Sequence, residues 1–177
     1  EKRRLFDAGL KIILANGYVR NGYEHFSKPA DDVAKARDLN DAKYSSLGVT
    51  QGNCTEMLSL GRHSYSSIFD YYFQYYYEHP MFESSIKKGL FPIYRGHHLG
   101  KDDILRRDII QTLRTNFFID IQYIQRQYEI DFFKYFESEL SELTEFINDK
   151  LVLISKNKVE ITDSGIPFTL QMCRKFD

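Results

Sequence analysis

Tryptophan is absent from this 177-residue chain, cysteine occurs only twice and proline four times. Two cysteines, Cys54 and Cys173, are too few for a disulfide-stapled secreted scaffold and cannot build a cysteine metal quartet. They fit a reducing compartment, and the expected localisation is cytoplasmic. Long apolar runs are also missing. No stretch approaches the roughly 18 consecutive apolar residues of a membrane span. Glu1-Lys2-Arg3-Arg4 leads into an amphipathic pattern instead of the apolar run of a signal sequence, so no membrane association is expected. Nor does one sign of charge dominate: 24 basic residues face 25 acidic ones, which leaves no global field to recruit nucleic acid.

What is present is enough for a folded core, with 42% hydrophobic and 15% aromatic side chains. The chain opens without methionine and already inside a helical pattern, with Leu5, Phe6, Leu10, Ile13 and Leu14 on one face. That start is expected to be a fragment boundary. The first helix is expected to stop near Asn16-Gly17, Tyr18 to Phe26 reads as extended, and a polar helix follows Pro29 with Asp31 and Asp32 at its N-terminus. Between Tyr44 and Phe69, glycine, serine and threonine punctuate short apolar pairs such as Leu47-Gly48-Val49, a composition suited to short strands and loops. The run Tyr71-Tyr72-Phe73-Gln74-Tyr75-Tyr76-Tyr77 reads as amphipathic packing, with a stacking platform for a flat ligand as the alternative.

Past Pro80 the pattern turns helical. Leu105, Ile109, Leu113 and Phe117 share one face of a helix that begins near Lys101. Phe132, Phe136, Leu140, Leu143 and Ile147 predict another helix from about Asp131 to Ile147, with Glu137, Glu139, Glu142 and Glu145 largely off its apolar stripe. Leu151 to Ile154 and Val159 to Thr162 read as a hairpin, and a last helix follows Gly165. This outline suggests a winged-helix-like module, which invites a DNA-binding reading. Charge argues against it: Lys101 to Asp177 holds 11 basic and 14 acidic residues, and the helix placed to enter a groove is the acidic one.

Several separated motifs carry a more specific signal. They are Gly22-Tyr23-Glu24-His25-Phe26-Ser27-Lys28-Pro29-Ala30-Asp31-Asp32, then Thr50-Gln51-Gly52, then Tyr94-Arg95-Gly96 leading into Asp102-Asp103-Ile104-Leu105-Arg106-Arg107-Asp108-Ile109-Ile110 and Asn116-Phe117. Ile161-Thr162-Asp163-Ser164-Gly165 and Phe176-Asp177 close the chain. In this order they resemble the oxygen-independent coproporphyrinogen III oxidase family of radical S-adenosylmethionine enzymes, over nearly the whole chain. Gly61-Arg62-His63-Ser64-Tyr65-Ser66-Ser67 departs from the family's smaller glycine- and serine-rich segment, and one residue looks inserted between Gln51 and Gly61.

The resemblance implies an α+β fold: the terminal helix and strands of a partial α/β barrel over residues 1–69, followed over 70–177 by a mostly helical C-terminal domain with a small winged-helix-like β-hairpin. It implies oxidative decarboxylation of coproporphyrinogen propionates to vinyl groups, driven by S-adenosylmethionine and a 4Fe-4S cluster whose cysteine motif would lie before Glu1. The partners implied are a tetrapyrrole substrate and the N-terminal barrel segment, and the fragment alone is expected to be inactive. By motif position, Ile68 and Gln51 are matched to cofactor contacts. Four propionates require cations, and arginine's planar fork suits carboxylates, so Arg62, Arg95, Arg107 and Arg114 are the substrate-binding candidates. No residue stands out as catalytic acid or base. His97-His98 reads as a solvated loop without ligand spacing for a metal, and His25 as a structural pin. Two alternatives remain open: a related radical enzyme acting on heme or a heme carrier, and a noncatalytic winged-helix interaction module.

Overall fold

The computed structural model describes residues 1–45, 48–52 and 56–177. Helix α1 (Lys2–Ala15) closes at Asn16, whose side-chain amide donates to the Ile12 carbonyl at 2.8 Å. None of its residues is fully buried, and Leu5 and Ile12 are 68% and 65% exposed. Strands β1 (Val19–Arg20) and β2 (Phe26–Ser27) pair as a short antiparallel hairpin, which gives the expected extended segment a definite turn. Helix α2 (Asp32–Asp38) is capped by the Asp31 carboxylate, which accepts from the Val33 amide. Strands β3 (Ala42–Ser45) and β4 (Gly48–Gln51) pair antiparallel, and Ala42 and Val49 pack with Ala36 of α2, flanked by Val33 and Tyr44.

Strands β5 (Tyr65–Ile68) and β6 (Tyr71–Tyr75) form a hairpin turning through Phe69, which adopts φ 52°. Helix α3 (His79–Lys87) follows, with Pro80 in its first turn, where the missing amide hydrogen costs nothing. Strand β7 (Ile93–His98) then completes a sheet of order β5-β6-β7. The loop expected at His97-His98 is thus a strand: its backbone is paired to Tyr71 and Tyr72 even though its side chains stay exposed.

Helix α4 (Lys101–Asn116) carries the predicted apolar stripe, with Leu105, Ile109 and Leu113 buried. Phe117 lies just beyond it at φ 62°, so the helix ends one residue short of the expected stripe. Strand β8 (Phe118–Asp120) and helix α5 (Ile121–Tyr128) come next, α5 being capped by the Asp120 carboxylate. The single acidic helix expected over 131–147 is instead three short segments: α6 (Phe132–Tyr135), α7 (Glu137–Glu142) and α8 (Thr144–Asn148). The breaks fall at Phe136 (φ -105°, ψ 27°) and Leu143 (φ -85°, ψ -2°), whose side chains are both buried. Packing of these two anchors overrides the helical repeat. Strands β9 (Val152–Ile154) and β10 (Lys158–Ile161) form the predicted hairpin, extended by β8 into a sheet of order β8-β10-β9. A 3-10 turn (Ile166–Phe168) and helix α9 (Thr169–Cys173) close the chain.

Two compact units result: Glu1–Asn53 with Arg106–Asp177, and Cys54–Leu105. The first holds most of the buried core, in which Phe136 meets Phe132 and Phe176 with ring centroids 5.1 and 5.5 Å apart. Arg106 covers the Phe136 ring and pairs with Glu139 at 2.8 Å. In the second unit the central strand β6 buries Gln74 and Tyr75, and β5 buries Ser66, which accepts from the Ser59 amide.

Candidate functional site

The first motif of the sequence folds into the β1–β2 hairpin and docks on the C-terminal end of α4. The Tyr23 amide donates to the Arg114 carbonyl at 2.9 Å, which satisfies one of the acceptors a helix leaves open at that end. Gly22 makes the approach possible: at φ +87° it occupies the left-handed region, and a Cβ there would lie 2.6 Å from the same carbonyl oxygen. The Asn21 amide closes the hairpin on the His25 carbonyl at 2.7 Å. The His25 ring stands edge-on to Tyr44 and fills the space beside Gly48, where a Cβ would come 2.3 Å from Nε2. Arg114 lies over the other partner of that cluster, its guanidinium carbon 3.6 Å from the Tyr44 ring centroid. His25 Nδ1 and Arg114 Nε are buried without a hydrogen-bond partner among the described residues.

Gln51 ends β4, exposed, opposite Ala42. Lys35 bonds the Asp32 carboxyl at 2.8 Å and is the largest cause of the downward shift of that group, to which Gln51 adds. Arg107 pairs with Asp108 at 3.3 Å, and the second oxygen of Asp108 accepts from the Tyr128 hydroxyl. Burial, reinforced by that bond, raises the Tyr128 phenol well above its ordinary value. Gln51, Arg107 and Arg114 therefore belong to the unit built from 1–53 and 106–177, while Ile68, Arg62 and Arg95 belong to the unit of 54–105.

In that second unit Arg95 donates through Nε to Gln74 Oε1 at 2.9 Å, and Gln74 reaches the His63 carbonyl beside Arg62. Arg62 is exposed, with one long bond of 3.4 Å to the Tyr77 carbonyl. Ile68 is half-buried at the end of β5, opposite Tyr71. Tyr71 stacks on His98 at 4.6 Å between centroids, and His97 Nε2 lies 3.6 Å from Asp103. The tyrosine run thus divides its work, Tyr75 in the core and Tyr71 on an exposed stack. The β7 pairing that puts both histidines opposite tyrosines is the feature sequence reasoning missed.

A cleft of about 570 Å³ opens in the first unit, lined by Leu10, Leu14, Arg20, Arg37, Asn116, Phe117, Asp163 and Ile166 among others. Arg20 and Arg37 were not singled out by the sequence, because their neighbours in space are scattered along the chain.

The residues do not fit an iron–sulfur cluster. Cys173 is buried at the end of α9, donates towards the Ile110 carbonyl at 3.8 Å, and its thiol is pushed up to about 12 by burial, the opposite of what a thiolate ligand needs. Cys54 lies outside the described residues, and among the described residues there is no group of three His, Cys, Asp or Glu side chains able to hold a metal. No helix is long and apolar enough to cross a membrane among those residues.

Comparison with known proteins gives these elements a context. Residues 99–168 match the family model of the HemN C-terminal domain. Over the whole chain the sequence is 30% identical to the oxygen-independent coproporphyrinogen III oxidase of Pseudomonas aeruginosa and 28% identical to that of Escherichia coli, spanning 38% and 39% of those proteins. That of Thermostichus vulcanus is 32% identical over 88% of this chain and 48% of the relative. The solved structure of E. coli coproporphyrinogen III oxidase (HemN), described as a radical SAM enzyme, superposes with a TM-score of 0.92 at 28% identity, covering 97% of this chain and 40% of that one. The chain therefore shares the sequence and fold of the C-terminal part of these oxidases and spans about two fifths of the length of the first relatives.

Proposed function

We propose that the chain is the C-terminal part of an oxygen-independent coproporphyrinogen III oxidase, a cytoplasmic enzyme that converts propionate side chains of coproporphyrinogen III to vinyl groups with loss of carbon dioxide. The observation that carries this reading is the superposition on the E. coli enzyme over 97% of the chain. When bound, S-adenosylmethionine and a 4Fe-4S cluster supply the radical chemistry. Residues outside this chain hold the cluster, which its own two cysteines cannot do. What these residues contribute is positioning. Ile68 and Gln51 contact S-adenosylmethionine, with the functional division of the chain falling between 69 and 70. Arg62, Arg95, Arg107 and Arg114 face the substrate carboxylates; Arg62 is exposed and its bond to the Tyr77 carbonyl is long, at 3.4 Å, which supports it as the first to meet a propionate.

The test is to express the gene with all of its reading frame, reconstitute the cluster anaerobically, and follow coproporphyrinogen III by chromatography. The reading predicts S-adenosylmethionine-dependent vinyl products and none from the 177 residues alone. Cluster assembly and S-adenosylmethionine cleavage without vinyl products, together with stoichiometric heme binding, would replace it with a heme-directed radical enzyme.

A further inference from the structure

We propose that the cleft between α1 and the end of α4 binds a small carboxylate carried on an apolar body, with Arg20 as its counter-ion and Leu10, Leu14, Phe117 and Ile166 as its walls. This goes beyond the oxidase reading and does not depend on it.

The observation behind it is an arginine whose charge is only half provided for. Arg20 Nη2 is shielded from solvent and has no hydrogen-bond partner among the described residues. Its guanidinium carbon lies 5.4 Å from the Phe26 ring centroid, an interaction that leaves the N–H edges unused. Burial lowers its proton affinity, while Tyr23 and Asp163 oppose that shift, yet Asp163 forms no ion pair with it among the described residues. A shielded guanidinium N–H without an acceptor is costly, so a fold that keeps one has a use for it or hydrates it.

The groups around Arg20 argue for a carboxylate over water alone. Arg37 is already committed: Nη1 donates to the Arg20 carbonyl at 2.6 Å and the rest of its fork pairs with Asp38, so it fixes the Arg20 backbone instead of competing for a ligand. Thr115 spends its hydroxyl on the Gln111 carbonyl at 2.7 Å. Asn116 lines the same cleft, and its amide Oδ1 also lacks a partner among the described residues. Amide oxygen and nitrogen are interchangeable by a flip, so with a ligand present Asn116 can turn its N–H groups to one carboxylate oxygen while Arg20 takes the other. Apart from Asn40 and Asp163 the remaining lining is apolar, and a cleft of about 570 Å³ is of the size that holds a small organic ligand. Asp163 sets the charge limit. A single carboxylate tolerates its presence in the same lining as Arg20, whereas a phosphate with two charges would be repelled.

The experiment titrates the 177-residue chain, labelled at leucine and isoleucine methyls and arginine side chains, with octanoate, octan-1-ol and octylamine in low salt, followed by NMR. The expected result is saturable octanoate shifts at Leu10, Leu14, Ile166 and Arg20, with octan-1-ol binding about tenfold or more weaker and octylamine not at all. Arg20→Gln loses about tenfold in octanoate affinity, and Asp163→Asn gains severalfold, a gain that misfolding cannot mimic. If Arg20→Gln fails to fold, the octanoate-to-octanol ratio and Asp163→Asn decide. Equal binding of octanoate and octanol, an unchanged Asp163→Asn, or no saturable shift at all would overturn the proposal and leave a hydrated cleft.

Discussion

A methyl group added at Gly22 would sit 2.6 Å from the Arg114 carbonyl and 3.2 Å from the Thr115 Cα, both backbone atoms that cannot swing aside. The residue also holds φ at +87°, so Gly22→Ala adds strain to a steric clash. We expect a loss of roughly 2–4 kcal/mol in urea unfolding; a loss below about 0.5 kcal/mol would mean the hairpin is not seated on α4. Cys173 supplies a prediction with a definite sign. Its thiol is raised by burial from an ordinary 9.0 to about 12, so the unfolded chain releases that proton first as the pH climbs. Its contribution to stability is therefore constant below 9.0 and is lost between there and about 12, with Tyr128 acting in the same direction from an ordinary 10.0. Unfolding free energy measured across alkaline pH should fall less steeply in Cys173→Ala than in the parent, once the lower starting stability is subtracted. An identical slope would show that burial of this thiol does not couple to folding. The glycines and the buried sulfur were visible in the sequence as residue types; what each one touches was not.

Elements were legible where local chemistry decides them. Asp31 before α2, the Lys101 start of α4 and the Val152–Ile161 hairpin all carry their own caps, stripes or turns, and the structure has them. The 131–147 segment shows the limit of that reasoning. Its apolar stripe was right for Phe132, Phe136 and Leu143, which are buried, but not for Ile147, which is exposed, and periodicity cannot reveal that two anchors are pulled in far enough to interrupt the hydrogen-bond ladder. No glycine or proline marks the breaks. Strands β7 and β8 were invisible for a different reason: β7 is exposed along its whole length, and β8 has three residues whose strand character comes from pairing with β10, about 40 positions away. Because α6 is a single turn, its start should depend heavily on its cap. Asp131 accepts from the Phe133 and Lys134 amides at 3.1 and 3.2 Å, and Asp131→Ala is expected to cost about 1 kcal/mol. Circular dichroism with denaturant would measure it, and an unaltered midpoint would assign the turn to Phe132 and Phe136 burial alone.

At the scale of the whole molecule, the sequence carried the resemblance and the class of fold but not the cleft, because Leu10, Arg20, Asn116 and Asp163 come together only after the long-range packing is complete. Motif reading finds residues that are neighbours in sequence, and beyond the run Thr115-Asn116-Phe117 this cleft is assembled from distant pieces of the chain. The same unevenness governs stability. The buried hydrophobic residues concentrate in the unit of 1–53 and 106–177, whereas the unit of 54–105 contributes Tyr75, Leu99 and Leu105 and otherwise relies on buried Ser66 and Gln74 and on backbone pairing. Hydrogen bonds between strands give little net stability without apolar surface removed from water behind them, since the unfolded chain bonds equally to solvent. Local opening should therefore be easier in β5, β6 and β7 than in β8, β9 and β10. Native-state hydrogen exchange read by mass spectrometry on peptides covering 65–75 and 93–98 should show protection lost about tenfold or more faster than on peptides covering 118–120 and 152–161. Equal protection in the two sheets would mean that the number of buried apolar side chains in a unit does not set its local stability.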